Sequence, residues 1–149
     1  MIPLKIINFN HMNIFVDANI IVATLNKEYP LFTWSSRVLS LQDKYNIKLY
    51  TSPLCLAIAF YFASKKSGEK VAGKKIEQLC KNIGITSIDE SITFQAINNP
   101  EVNDFEDGLE YYSAVSQNCQ CIITENPEDF YFSKIEIFRC EEFLKNYIT

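Results

Sequence analysis

The run Ile14-Phe15-Val16 leads straight into Asp17, after which Ala18, Ile20, Ile21 and Val22 open a second apolar pattern. A short apolar run ending in a carboxylate reads as a buried parallel strand that presents Asp17 at the carboxyl end of a sheet. Open α/β folds place their ligands at that edge. A strand apolar on both sides needs cover on both faces, so helical layers above and below are expected.

The rest of the chain alternates between strand and helix patterns. Helical turns over residues 20–25, with Asp17 or Asn19 as cap, give way at Tyr29-Pro30. Phe32, Trp34, Val38, Leu39 and Leu41 then recur at helical spacing, which predicts a helix over 32–45. Residues 47–51 alternate as a strand. Ser52-Pro53 has the form of a helix start, and the helix it opens, to about Lys66, is apolar nearly all round, which predicts burial between other elements. Val71, Ile76, Leu79 and Ile83 outline an amphipathic helix ending at Gly84. A brief strand over 85–88, a short helix over 91–97 and a helix over 104–118 follow. The last of these has Phe105, Leu109, Tyr112 and Val115 as its expected core stripe. Strands over 119–124 and 135–138 flank a turn at Glu125-Asn126-Pro127, and a terminal helix covers 141–147. The expected fold is α/β, a three-layer α/β/α sandwich around a mostly parallel central sheet, as a single domain over residues 12–149 with 1–11 as an N-terminal tail.

Composition removes several function classes. A single histidine, His11, and five scattered cysteines support neither a zinc finger nor a Ser/His or Cys/His nucleophile pair. The thiols are expected to be buried and reduced. No apolar run is long enough to span a bilayer, and the amino terminus does not read as a secretory leader, so a cytoplasmic protein with no membrane contact is expected. Charge is segregated: Lys65, Lys66, Lys70, Lys74, Lys75 and Lys81 cluster between 65 and 81, while positions 101–129 hold eight acids and no base. The lysines read as a solvated helical hairpin or as a contact to nucleic-acid phosphates.

Asp104 and Asp107 lie three apart at a helix start and share a face, with Glu106 and Glu110 expected to point elsewhere. Alone, such acids serve as helix caps. In combination with Asp17 and the polar turn Thr124, Asn126 and Asp129, they fall at loops expected on one edge of the sheet. Carboxylates gathered there raise one another's pKa unless a cation binds between them. Oxygen donors without histidine or thiolate favour Mg²⁺ or Mn²⁺, and such an ion suits phosphodiester hydrolysis. A phosphatase with Asp17 as nucleophile is disfavoured by Asn19, where a second aspartate would be required.

Phe15-Val16-Asp17-Ala18-Asn19-Ile20, Asp104-Phe105-Glu106-Asp107 leading through Tyr111 to Ser113-Ala114, and the run from Ile122 to Phe130 together resemble the PIN domain. They are most similar to its bacterial toxin branch, often called VapC-like, from about Met12 to Phe143. The resemblance implies a Mg²⁺-dependent ribonuclease, usually a homodimer, held inactive by a small antitoxin. It makes Asp17 and Asp107 the principal metal acids, with Asp104 in support. Asn126 takes the polar position after the fourth strand and, with Asp129, completes the catalytic set, while Thr124, Asn19 and Glu125 play supporting roles. One departure stands out. The family's second acid, a glutamate, should fall within residues 52–62, which contain none; Ile58 or a neighbour takes its place, and Glu125 is expected to compensate in part. That gap leaves a second reading, a PIN-fold module that binds RNA or protein without cutting. Tyr29, Phe32 and Trp34 are candidates for a dimer face or for ordinary core.

Overall fold

The computed structural model describes residues 11–148. Among them, five strands form one wholly parallel sheet in the order β3-β2-β1-β4-β5. β1 (Met12–Val16) is central and buried along its whole length. It pairs with β2 (Ile47–Thr51) from Met12↔Ile47 to Phe15↔Tyr50, and with β4 (Cys121–Ile123) from Ile14↔Cys121 to Val16↔Ile123. β3 (Gly84–Ile85) and β5 (Glu136–Phe138) form the edges. The order reverses between β1 and β4, and at such a switch point the loops after the two strands diverge and open a crevice.

Seven helices among the described residues cover the sheet. α1 (Ala18–Leu25), α2 (Leu31–Leu39), α3 (Pro53–Ser67), α4 (Glu69–Cys80) and α7 (Cys140–Tyr147) form one packed group. α5 (Glu90–Asn98) and α6 (Phe105–Ser116) form the other. The connections β1→β2 and β2→β3 step one way across the sheet and β3→β4 steps back. Right-handed crossovers therefore put the two groups on opposite faces, which makes the α/β/α sandwich. Its core runs through Ile14, Phe15, Val16, Ile20, Ile21, Leu49, Ile122, Ile123 and Phe143. All five thiols are free, and four of them are buried. No helix among the described residues is long and apolar enough to cross a membrane.

Several expectations need correction. The helix expected over 32–45 stops at Leu39, because Asp43, Tyr45 and Asn46 take positive φ in the turn before β2. Gly84 does not end a helix; α4 stops at Cys80, and Gly84 opens β3 so close to Tyr50 that a Cβ would lie 2.4 Å from Tyr50 Cε1. α3 is not buried all round. Only Cys55, Ala59 and Ala63 are fully covered, since close approach of α1 and α4 selects small residues, while Tyr61 and Phe62 are 52% and 46% exposed. The core stripe of α6 is rotated from the expected one: Phe105 and Val115 are exposed, and Gly108, Glu110, Tyr111, Ser113 and Ala114 are buried. Tyr29 is exposed and Phe32 half-buried, while Trp34, also half-buried, packs against the core. The expected tail, apart from His11, lies outside the described residues.

Candidate functional site

The register of β1 and β4 fixes the position of Asp17. Its N–H donates to Ile123 O at 3.0 Å, one step beyond the Val16↔Ile123 pair. As the cap of α1, Asp17 accepts from Ala18 N at 2.7 Å through Oδ1. Oδ2 accepts from the Thr124 hydroxyl at 2.8 Å. That hydroxyl in turn accepts from Asn19 Nδ2 (3.2 Å) and Asn126 N (3.1 Å), and Asn19 Oδ1 accepts from Glu125 N at 3.2 Å. Thr124 and Asn19 thus tie the loop after β4 to the start of α1 and hold the Asp17 carboxylate in one orientation.

Asp17 opens into a cleft of about 420 Å³ whose lining includes Glu106, Asp107, Glu110, Asn126 and Asp129. Its apolar wall is built from Val22, Leu31, Ile58 and Phe62. Two expected members lie elsewhere. Asp104 caps α6, accepting from Glu106 N at 2.9 Å, and does not line the cleft. Glu125 turns away: it accepts from Cys140 N at 3.0 Å and lies 3.8 Å from Arg139 Nη1, so the compensating acid expected there serves the start of α7 instead.

Glu110, expected to point elsewhere, is the buried acid that faces Asp17. It is 2% exposed, one helical turn beyond Asp107, and its Oε1 has no hydrogen-bond partner among the described residues. Glu106, Asp107 and Glu110 each bring a carboxylate oxygen within 4.8 Å of one another, and so, with a sulfur in place of one oxygen, do Asp17, Cys55 and Glu110. Cys55 comes from the first turn of α3, within the segment where a glutamate was expected. Local sequence marks Glu110 poorly: Gly108, two residues before it, lies on the far side of the helix, and only the small Ser113, three residues on, shares its face.

Crowding marks these groups. Burial, the Asp17 charge and a hydrogen bond with Asp17 push the Glu110 carboxyl up to about 11. Burial, then the charges of Asp104, Asp129, Asp17 and Glu106, push Asp107 up to about 7. Glu106 and Asp129 are raised in the same sense, desolvation leading. Among the described residues no cationic side chain lines the cleft. Converging oxygens, an unpartnered buried carboxylate atom and no internal counter-charge fit a divalent cation.

The lysine hairpin divides in two. Lys66 Nζ donates to Asn26 O, and Lys75 Nζ to Leu25 O at 2.9 Å, so these two satisfy carbonyls at the end of α1. Lys65, Lys70, Lys74 and Lys81 stay exposed.

A profile of the PIN domain matches residues 13–128. Comparison with curated protein sequences finds no match. Among solved structures, VapBC2 from Rickettsia felis, bound to a DNA fragment from its promoter, aligns with a TM-score of 0.66 at 18% identity, covering 86% of this chain and 98% of that one. VapBC-1 from nontypeable Haemophilus influenzae aligns at 0.64 and 21% identity, covering 87% and 99%. VapC20 from Mycobacterium tuberculosis, a sarcin-ricin loop cleaving toxin, aligns at 0.59 and 16%, covering 73% and 86%. At these identities the likeness is one of fold.

Proposed function

This chain belongs to the PIN domain family, and from that premise we propose that it is a divalent-cation-dependent endoribonuclease acting as the toxin of a toxin–antitoxin pair. The observation that carries the reading is the convergence of Asp17, Asp107 and Glu110, with Asn126 and Asp129 beside them, on one cleft at the carboxyl edge of the sheet. Structural neighbours described as VapBC structures and as a sarcin-ricin loop cleaving toxin support it; a small antitoxin partner and a homodimer are parts of the proposal.

Asp17 and Asp107 would hold Mg²⁺ or Mn²⁺, with Glu110 behind them. When bound, the cation supplies charge neutralisation at the phosphate and a more acidic water. The chain's own residues do the rest. Thr124 and Ala18 N fix the Asp17 carboxylate, so that little reorganisation is needed when substrate arrives. Asn126 and Asp129, both exposed at the cleft mouth, would orient the attacking water on the face opposite the leaving oxygen. Ile58 and Phe62 close the apolar wall and limit water on that side.

The test is cleavage of a panel of structured RNAs, transfer RNAs included, by purified protein in Mg²⁺, Mn²⁺ or EDTA, beside Asp17→Asn. Metal-dependent cutting that disappears in the variant is expected; equal cutting by Asp17→Asn overturns the assignment. The lack of any acid over residues 52–62 favours a second reading, a PIN-fold module that binds RNA or protein without turnover. RNA retention without cleavage in any metal supports that one.

A further inference from the structure

We propose that Asp17, Cys55 and Glu110 form a buried site for a thiophilic divalent cation of the Zn²⁺, Co²⁺ and Cd²⁺ class, beneath the outer carboxylates of the cleft. This goes beyond the nuclease reading and rests on the donor atoms alone.

The three residues come from three elements, the end of β1, the first turn of α3 and the second turn of α6, and each brings one donor atom within 4.8 Å of the other two. The Cys55 thiol donates to Asp17 Oδ1, with sulfur and oxygen 3.7 Å apart. A tetrahedral ion with bonds of about 2.3 Å to sulfur and about 2.1 Å to oxygen has an oxygen–sulfur edge of about 3.6 Å. The hydrogen-bonded pair is therefore spaced as two corners of one coordination sphere, and an ion there would take the place of the thiol proton. Cys55 is held there by its own backbone, which donates to the capping Ser52 Oγ at 3.1 Å.

Glu110 provides independent evidence that something belongs in this space. Its side chain is 2% exposed, and its Oε1 accepts no hydrogen bond from any described residue. Buried polar atoms in folded proteins are nearly always paired, with protein, water or an ion. Asp17 and Glu110 also line the cleft, and three protein donors are the number that zinc takes where it keeps a fourth position for water or substrate.

The sulfur decides the class of ion. Thiolate is soft and selects zinc-like ions, whereas Mg²⁺ and Ca²⁺ take oxygen donors only. On binding, the sulfur–metal bond forms as the thiol proton leaves to solvent, so that Cys–SH and M²⁺ give Cys–S–M⁺ and H⁺ with no change of oxidation state. Asp107, Glu106 and Asp129 stand outside this donor set.

The experiment is an optical titration of the whole chain with Co²⁺. A sulfur-to-cobalt charge-transfer band is expected, saturating near one equivalent, lost on adding Zn²⁺ and persisting in excess Mg²⁺, which competes for Asp17 but not for the sulfur. Cys55→Ser should abolish the band, Glu110→Gln should weaken Co²⁺ binding about tenfold or more, and Asp107→Asn should retain the band. A band that survives in Cys55→Ser would report the other thiols and overturn the proposal, as would no band at all. Should Cys55→Ser fail to fold, X-ray absorption on the zinc-loaded native chain decides: one sulfur at about 2.3 Å is expected, and a shell of oxygen and nitrogen only overturns the site. None of these readouts uses RNA, so failure here leaves the nuclease assignment to its own assay, and failure of RNA cleavage leaves this site standing.

Discussion

The Thr124 hydroxyl donates to Asp17 Oδ2 at 2.8 Å, and both residues are buried where β1 and β4 end side by side. Thr124 Oγ1 also accepts from Asn19 Nδ2 and from the Asn126 backbone, so one small side chain joins three parts of the site. Thr124→Val keeps the shape and removes the hydroxyl. It should cost roughly 1–3 kcal/mol, as expected when a buried polar cluster loses a partner. Thr124→Ser, which keeps the hydroxyl and loses one methyl group, should cost about 1 kcal/mol. Urea unfolding of the two variants checks the difference.

Asp107 titrates near 7 in the folded chain and near 4 when unfolded. The folded state holds the proton more tightly, so this carboxyl favours folding most below about pH 4. Its contribution declines as pH rises and is least favourable above about pH 7. In EDTA, the native chain should therefore lose stability between pH 4 and pH 7 relative to Asp107→Asn. Urea midpoints at pH 5 and pH 8 should bring the variant out ahead at the higher value only.

Glu110 stays protonated through the neutral range because its carboxyl is pushed up to about 11. A neutral amide mimics that form, so Glu110→Gln should fold with stability within about 1 kcal/mol of the native chain, a volume-conserving change. Glu110→Ala opens space under Asp17 and should cost roughly 2–5 kcal/mol, as for other large-to-small changes in a core. Thermal unfolding of the metal-free proteins separates the two.

Lys75 and Lys74 are neighbours with different work. Lys75 Nζ donates to Leu25 O at 2.9 Å at the negative end of α1, whereas Lys74 is exposed. Lys75→Met should cost about 0.3–1 kcal/mol, and Lys74→Met should fall within about 0.5 kcal/mol of zero. Denaturant midpoints measured at low salt, where the dipole effect is least screened, show the contrast.

The central strand, the cap at Asp17, the Ser52-Pro53 helix start and the parallel alternation were legible because each rests on local pattern: an apolar run, a capping residue, a fixed spacing. Glu110 and Cys55 were not, because each is defined by a partner far along the chain. Periodicity in α6 pointed to Phe105, Leu109, Tyr112 and Val115 as the inner face. The true face is set by the close approach of α5 and the loop after it, where a Cβ on Gly108 would lie 3.2 Å from Ala96 Cβ and 2.8 Å from Val102 Cγ1. That packing turns the helix so that Glu110 points at Asp17. In α3 the small residues Cys55, Ala59 and Ala63 carry the contact and the large rings do not. Hydrophobicity alone ranks those the other way.

With every strand running the same way, the turn before β2, with positive φ at Asp43 and Tyr45, lies on the rim opposite the acidic cleft. Anchoring chemistry belongs on that rim. A biotinylated peptide or a fluorophore inserted between Asp43 and Lys44 would tether the molecule to a surface with its cleft facing the bulk solution, and single-molecule or surface-resonance binding could then be read without the tether competing for the site.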